Sequence, residues 1–166
     1  MSRRCDDLTP QDLQDAVVAE LKELFDHTRR NNSLGAERAV AVYSQDVPIR
    51  EGDDEGEDKD GPPEPYVIVR LRGGKLDDET SPHVVGLVMV VCVMDMNPNR
   101  QGYRDALHIV NEIYRRYATN GVIGGKYVLQ YPIEWATQDE DTHPYYFAAI
   151  NMNVEMVAYT KEVPEE

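Results

Sequence analysis

The sequence predicts an α+β fold in which helices pack on a mixed, largely antiparallel sheet. Two segments carry apolar residues at helical spacing, and five segments alternate or are rich in β-branched residues. Their order, α-β-β-β-α-β-β, interrupts runs of strands with single helices, which is typical of the α+β class. The 166 residues suit one domain, which we expect to span residues 1–166.

The first helix has a clear start signal. Thr9 is a good N-cap, Pro10 suits the first helical position, and Asp12 completes a capping-box spacing. Apolar residues then follow at helical spacing: Leu13, Ala16, Val17, Leu21, Leu24 and Phe25. The helix is expected to end within residues 27–30, because Arg29 and Arg30 suit the negative end of a helix dipole.

Three strands are predicted next, over residues 38–43, 66–72 and 84–95. The third is a nearly continuous run of β-branched residues, which predicts a strand buried on both faces. After the second strand, residues 72–75 (RGGK) are expected to turn the chain.

The second helix is expected to be capped at residues 97–99 and to end at Asn120-Gly121. Its predicted apolar stripe consists of Tyr103, Ala106, Leu107, Val110, Ile113, Tyr114 and Tyr117. Residues 121–126 (GVIGGK) resemble a phosphate loop in composition. They close a helix and open a strand, however, which is the reverse of a phosphate loop, so a simple turn is predicted.

Two strands are predicted to complete the fold, over residues 126–136 and 145–159. The last alternates apolar and polar residues, so one face should be buried and the other wet. The chain holds 10 tyrosines against 2 phenylalanines. Tyr131 and Trp135 on one strand and Tyr145 and Tyr146 on the next predict a cross-strand aromatic cluster, or alternatively an interface.

Acidic residues dominate the charge, which is −14 in total. Residues 51–60 (EGDDEGEDKD) contain seven of them: Glu51, Asp53, Asp54, Glu55, Glu57, Asp58 and Asp60. Such a run repels itself and buries nothing, so residues 51–65 are predicted to form a mobile surface loop. Deletion of residues 51–60 is expected to leave folding intact. The net charge argues against gripping nucleic acid or an anionic membrane.

No catalytic or metal motif emerges. The four histidines are far apart, and no serine or cysteine lies in a nucleophile context. Asp139, Glu140 and Asp141 are expected to form a solvated hairpin tip instead of a cation site. We therefore expect no enzymatic activity, no cofactor and no bound metal.

The cellular compartment is predicted from the cysteines and from the length of the apolar segments. Cys5 and Cys92 are not expected to form a disulfide, and the longest apolar run, of 11 residues, is shorter than the roughly 20 that span a bilayer. We expect a soluble protein, made in a reducing cytoplasm, that does not bind membranes.

The basic residues are distributed differently from the acidic ones. Arg100, Arg104, Arg115 and Arg116 concentrate on the predicted second helix, whereas acid dominates the loops. This separation of sign would allow the basic helix of one copy to dock on the acidic segments of another.

Several stretches resemble one protein family. Gln101-Gly102-Tyr103 at a helix start, Pro132-Ile133-Glu134 in a strand, and Pro144 to Phe147 after an acidic turn are similar to motifs of tail terminator, or tail completion, proteins of long-tailed bacteriophages and prophages. The resemblance covers about residues 84–160. The acidic insertion at 51–61 and the charged C-terminal residues 161–166 depart from it.

The resemblance implies a virion protein that assembles as a ring, usually a hexamer, at the head-proximal end of the tail tube. Such a ring stops tube polymerisation, contacts the tail tube protein and the head connector or head-completion protein, and lets DNA pass without specific binding. We expect residues 51–60 or 139–141 to face that channel or the tube.

Two alternatives remain open from the sequence. One is another phage neck or tail component, such as a head-closure or tube protein. The other is an acidic, protein-binding regulatory module of the bacterial cell.

Overall fold

A computed structural model describes residues 9–26, 29–31, 37–49 and 63–156. Two helices lie in this part of the chain, α1 (Pro10–Phe25) and α2 (Gly102–Thr119). Eight strands accompany them: β1 (Arg29–Asn31), β2 (Glu37–Ala39), β3 (Ala41–Ser44), β4 (Tyr66–Lys75), β5 (Val84–Met94), β6 (Val122–Ile123), β7 (Tyr127–Thr137) and β8 (Tyr145–Glu155).

Six of the strands form one sheet in the order β3-β4-β5-β8-β7-β6, and β1 pairs with β2 separately. The β3–β4 pair is parallel, and the other described neighbours are antiparallel. The predicted α+β class with a mixed, largely antiparallel sheet is confirmed.

The hydrophobic core lies between the two helices and one face of the sheet. Leu87 and Met89 of β5 and Ile150 of β8 are fully buried there, together with Leu13 of α1 and Ile109 of α2. The burial of such side chains is the main force that holds the helices to the sheet.

The opposite face, which we call the open face, carries alternate residues of the same strands. On β5 these include Gly86, Val88, Val90 and Cys92, and no described helix covers them. Val88 and Val90 are only half-buried. The prediction that this strand is buried on both faces is therefore wrong at these two positions, because both helices pack on one side of the sheet.

The start of α1 confirms the capping box. The Thr9 side chain accepts a hydrogen bond from the Asp12 N–H at 3.2 Å, and the Asp12 carboxylate accepts one from the Thr9 N–H at 3.2 Å. The predicted helical end is wrong, because Arg29 and Arg30 lie in β1, where pairing with β2 requires extended backbone.

The strand predicted over residues 38–43 is divided in two. β2 pairs with β1, whereas β3 joins the large sheet beside β4, and the division falls at Val40. The predicted turn at residues 72–75 is also wrong. β4 continues to Lys75 through a bulge between Leu71 and Gly73, where Gly73 has φ +152°.

The second helix starts later than predicted. Residues 97–101 form turns, and α2 begins at Gly102. Its apolar stripe is also rotated: Tyr103 and Tyr114 are 41% and 38% exposed, whereas Ile109, which the predicted stripe omits, is fully buried. The core follows a narrower stripe because α2 contacts the sheet along one line of side chains.

The chain leaves α2 at Asn120 as predicted and then makes a hairpin. β6, which was not predicted, pairs with β7, and the turn between them contains Gly124 and Gly125 with φ of +59° and +70°. Glycine adopts this conformation without the steric penalty of other residues, so the predicted turn is present and adds a two-residue strand.

The alternation of β8 is confirmed: Ile150, Met152 and Val154 are buried, and Asn151 and Asn153 lie on the open face. The aromatic cluster is not formed. The register between β7 and β8 shifts between Gln130 and Glu134, and Tyr131 and Trp135 on the outer strand remain 72% and 50% exposed.

Candidate functional site

The seven predicted acidic residues at 51–60 lie outside the described residues. The other predicted charges are described, and they fall into distinct environments. We define two surfaces from them: the α2 outer face, made of Tyr103, Arg104, Leu107, Tyr114 and Arg115, and the hairpin tip, residues 138–144 between β7 and β8.

Arg100 is not part of the second helix, contrary to the prediction. It lies in the turn before α2 with φ +59°, and its guanidinium contacts the Asp141 carboxylate at 2.5 Å. The hydrogen bond from Arg100 lowers the pKa of Asp141, and a second one from the backbone N–H of His143 adds to the effect. Two of the predicted charges therefore compensate each other within one chain.

Arg116 is turned inward and joins elements of the core. Its guanidinium lies 3.6 Å from the Glu20 carboxylate of α1, donates to the Asn120 carbonyl oxygen at 3.1 Å, and sits 5.3 Å from the centre of the Tyr117 ring. With 27% of its side chain exposed, Arg116 makes contacts within its own chain that stabilise the end of α2.

Arg104 and Arg115 remain on the surface, as predicted. Both are exposed, and neither forms an ion pair with another described residue. Tyr103, Leu107 and Tyr114 lie beside them on the same side of α2. Tyrosine and arginine are enriched at protein interfaces, so the α2 outer face has the composition of a contact surface.

The hairpin tip is an ordered structure that presents Asp139 and Glu140 to solvent. The Gln138 side chain donates to the Glu140 carbonyl oxygen at 2.7 Å and accepts from the Phe147 N–H at 2.8 Å. Thr142 donates to the Tyr145 carbonyl oxygen at 2.6 Å. Asp139 and Glu140 form no ion pair with the described residues, so the tip carries uncompensated negative charge.

Gly102 connects the start of α2 to the start of β8. A Cβ atom at this position would lie 2.3 Å from the Tyr146 ring and 2.9 Å from the Asp95 side chain. The Tyr146 hydroxyl in turn contacts Nδ1 of His143 at 3.0 Å. The sequence shows the glycine but not the ring that packs against it, because the two residues belong to different elements.

The described residues offer no grouping that suggests metal binding. Across the described ranges, no three His, Cys, Asp or Glu side chains are placed to hold one metal ion. Cys92 is 1% exposed, and burial raises the pKa of its thiol to about 12, so this cysteine is a poor nucleophile. No helix among the described residues is long and apolar enough to cross a membrane.

No protein-family model matches the sequence, and no curated protein matches it. A solved structure whose name states no function has a TM-score of 0.52 and 13% identity, over 95% of this chain and 99% of that one. A chain from the virion of a native gene transfer agent particle has a TM-score of 0.43 and 13% identity, over 94% of this chain and 99% of that one. The first similarity shows that the fold recurs nearly end to end in another protein.

Proposed function

We propose that this protein forms a ring, a hexamer, at the head-proximal end of a phage-type tail tube, where it ends tube polymerisation and joins the tail to the head. Its partners would be further copies of itself, the tail tube protein and the head connector or head-completion protein. It would be made in the bacterial cytoplasm and reside in the virion, with DNA passing through the ring without specific binding.

The observation that carries this proposal is the packing of two of the resembling motifs on one another. The Gln101-Gly102-Tyr103 helix start and the Pro144 to Phe147 strand start meet where Gly102 lies against the Tyr146 ring. Two of the three motifs thus form one structural unit at the start of β8. A local unit of this kind supports a family resemblance better than scattered matches would.

The described surface supports assembly from identical copies. A closed ring needs two different surfaces that complement each other, because each copy contacts the next one head to tail. The α2 outer face carries uncompensated arginines, and the hairpin tip carries uncompensated carboxylates. Opposite charges of this kind favour a specific orientation between neighbouring copies.

We also propose that the protein is not an enzyme and needs no cofactor. A structural role agrees with an exposed surface of tyrosine, arginine and carboxylate side chains and with a cysteine whose thiol is buried.

The mass of the purified protein, measured by native mass spectrometry and light scattering, tests the ring. A closed hexamer has six times the 18.9 kDa of one chain and does not grow further with concentration. Arg115→Gln should shift the population towards the monomer, whereas Lys22→Gln, which removes the same charge from an exposed position on α1, should not. A protein that stays monomeric at all concentrations, also when tube protein is added, would contradict the proposal.

A further inference from the structure

The open face of the sheet contains an open cavity of about 490 Å³ at the end where β4 has its bulge. Its lining includes Arg72 and Lys75 of β4, Gly86 of β5, Gln130 of β7 and Asn153 of β8. No motif in the sequence marks these residues, because they come from four strands and meet only in the folded sheet. A cavity of this size is within the range of ligand sites. Its lining has two cations, Arg72 and Lys75, against one carboxylate, Asp77, and it includes two amide side chains.

Arg72 is held across three strands in a defined position. Its Nη1 donates to Oδ1 of Asn151 at 3.0 Å, and its Nη2 donates to Oδ1 of Asn153 at 3.1 Å. Between them the guanidinium passes over Gly86, where a Cβ atom would lie 2.9, 3.0 and 3.3 Å from Nε, Nη2 and Cζ. These similar distances mean that the guanidinium lies flat on the sheet over Gly86.

The charge of Arg72 is not neutralised by a described carboxylate. Both of its side-chain partners are neutral amides, and Glu155 on the same face accepts instead from Gln130 at 3.3 Å. Glu134, which pairs with Asn151 in register, forms no ion pair with Arg72. Lys75 pairs with Asp77 at 3.3 Å. In a chain with 31 acidic residues, this arginine retains donors for an external anion.

We propose that the Arg72 cavity binds carboxylates, and that these are Asp139 and Glu140 of the hairpin tip of a second copy. A guanidinium with free N–H groups binds a carboxylate through two parallel hydrogen bonds. The tip carries two carboxylates with no ion-pair partner among the described residues. This contact rests on the proposed ring, for which it supplies one joint between neighbouring copies. It assigns the tip to the Arg72 cavity, so the arginines of the α2 outer face would serve other contacts of the ring.

Geometry excludes the same contact within one chain. The tip precedes Tyr145, the first residue of β8, whereas Arg72 contacts Asn151 and Asn153 near the other end of that strand. At about 3.4 Å per residue, roughly 20 Å separates the tip from Asn151. No side chain covers that distance. A tip that occupies this cavity must therefore come from another copy. The tip and the cavity are different surfaces, as the head-to-tail contact of a ring requires.

A peptide titration tests the cavity without relying on assembly. The probe is the tip sequence, residues 137–144 (TQDEDTHP), added to ¹⁵N-labelled protein at a concentration at which it is monomeric. We expect shifts of the Arg72 Nε–H and of the Asn151 and Asn153 side-chain amides. Arg72→Gln should weaken binding about tenfold or more, because a charged hydrogen-bonding partner is lost. Lys22→Gln should leave binding unchanged, and Glu134→Gln should strengthen it by removing a nearby like charge.

Two further probes identify the anion. A peptide with an amidated C-terminus and with Asn, Gln and Asn at positions 139, 140 and 141 has no carboxylate and should not bind. Tighter binding of inorganic phosphate or of a short DNA duplex at the same amides would overturn the carboxylate assignment, as would equal binding of the tip peptide by the wild type and by Arg72→Gln.

Measurements of self-association then test whether the tip that occupies the cavity belongs to a second copy. Arg72→Glu and the double change Asp139→Arg with Glu140→Arg should each abolish self-association, and mixing the two variants should restore it as hetero-oligomers. Assembly that is unaffected by Arg72→Glu would overturn the proposed joint while leaving the ring in place. If the wild type does not assemble but the peptide binds through Arg72, the cavity is supported and the ring fails.

Discussion

At the scale of single residues, the fold depends on a few close approaches that the sequence does not reveal. Gly102 is the clearest, because the Tyr146 ring occupies the space that a side chain would need. Arg100, two residues earlier, adopts φ +59° and is anchored by Asp141. Together they fix the entry to α2 against the start of β8, where two of the family-like motifs meet.

Replacing Gly102 with alanine should therefore destabilise the protein by about 1–3 kcal/mol, the usual range for overpacking a filled site. Urea denaturation monitored by circular dichroism measures the free energy of unfolding. Gly121→Ala is the matched control, since its Cβ would lie 3.5 Å from the nearest atom, an ordinary contact distance. If both variants were equally stable, the close approach of Tyr146 would not be a structural constraint.

At the scale of elements, one carboxylate joins α1 to α2 and to the β6–β7 hairpin. Glu20 of α1 accepts from the Tyr117 hydroxyl at 3.0 Å and from the Gly124 N–H at 2.8 Å. Burial, followed by the charge of Glu20, raises the pKa of Tyr117, so the phenol stays protonated and remains a donor. These hydrogen bonds of Glu20 fix the positions of α1, α2 and the β6–β7 hairpin relative to one another.

Glu20→Ala should cost about 1–3 kcal/mol of stability, because the buried Tyr117 hydroxyl loses its acceptor. Glu23→Ala, an exposed change on the same helix, should be nearly neutral. Thermal unfolding of both variants measures the difference. Hydrogen exchange at the Gly124 amide should also accelerate in Glu20→Ala alone. Equal stability of the two variants would mean that Glu20 does not join these elements.

Several element boundaries follow from local chemistry, and others do not. The capping box sets the start of α1, and the alternation of β8 sets its two faces, and both are visible in the sequence. β1, β2 and β6 have two or three residues each, too few to show a periodicity. The continuation of β4 through Gly73 was missed because glycine pairs predict turns, whereas here β5 provides a partner strand across a bulge.

At the scale of the whole molecule, the parallel pairing of β3 and β4 sets a minimum length for the connection that contains residues 51–60. This length matters for the prediction that their deletion leaves folding intact. The connection must return from the Ser44 end of β3 to Tyr66 at the start of β4. Parallel neighbours usually need about a dozen residues or more for this return. Deleting residues 51–60 leaves only residues 45–50 and 61–65 for it.

We still expect the deleted protein to fold, because a run of like charges repels itself and offers almost no apolar surface to a core. A variant in which a Gly-Ser segment of equal length replaces them separates length from charge, and it should match or slightly exceed the wild-type melting temperature, since like charges are removed. Differential scanning calorimetry measures the melting temperature and the cooperativity of unfolding of the deletion variant and of the Gly-Ser variant. Loss of cooperative unfolding in the Gly-Ser variant would mean that these residues belong to the fold.

The sequence by itself determined the α+β class, the two helices, the long strands and the wet face of β8. These depend on local periodicity and capping, which neighbouring residues carry. Only the tertiary structure decided how the charges are used: Arg116 turns inward to Glu20, Arg100 pairs with Asp141, and Arg72 reaches across three strands to Asn151 and Asn153. Long charged side chains form contacts with residues that are distant in the sequence. A local sequence pattern does not show which distant residues the fold brings within reach.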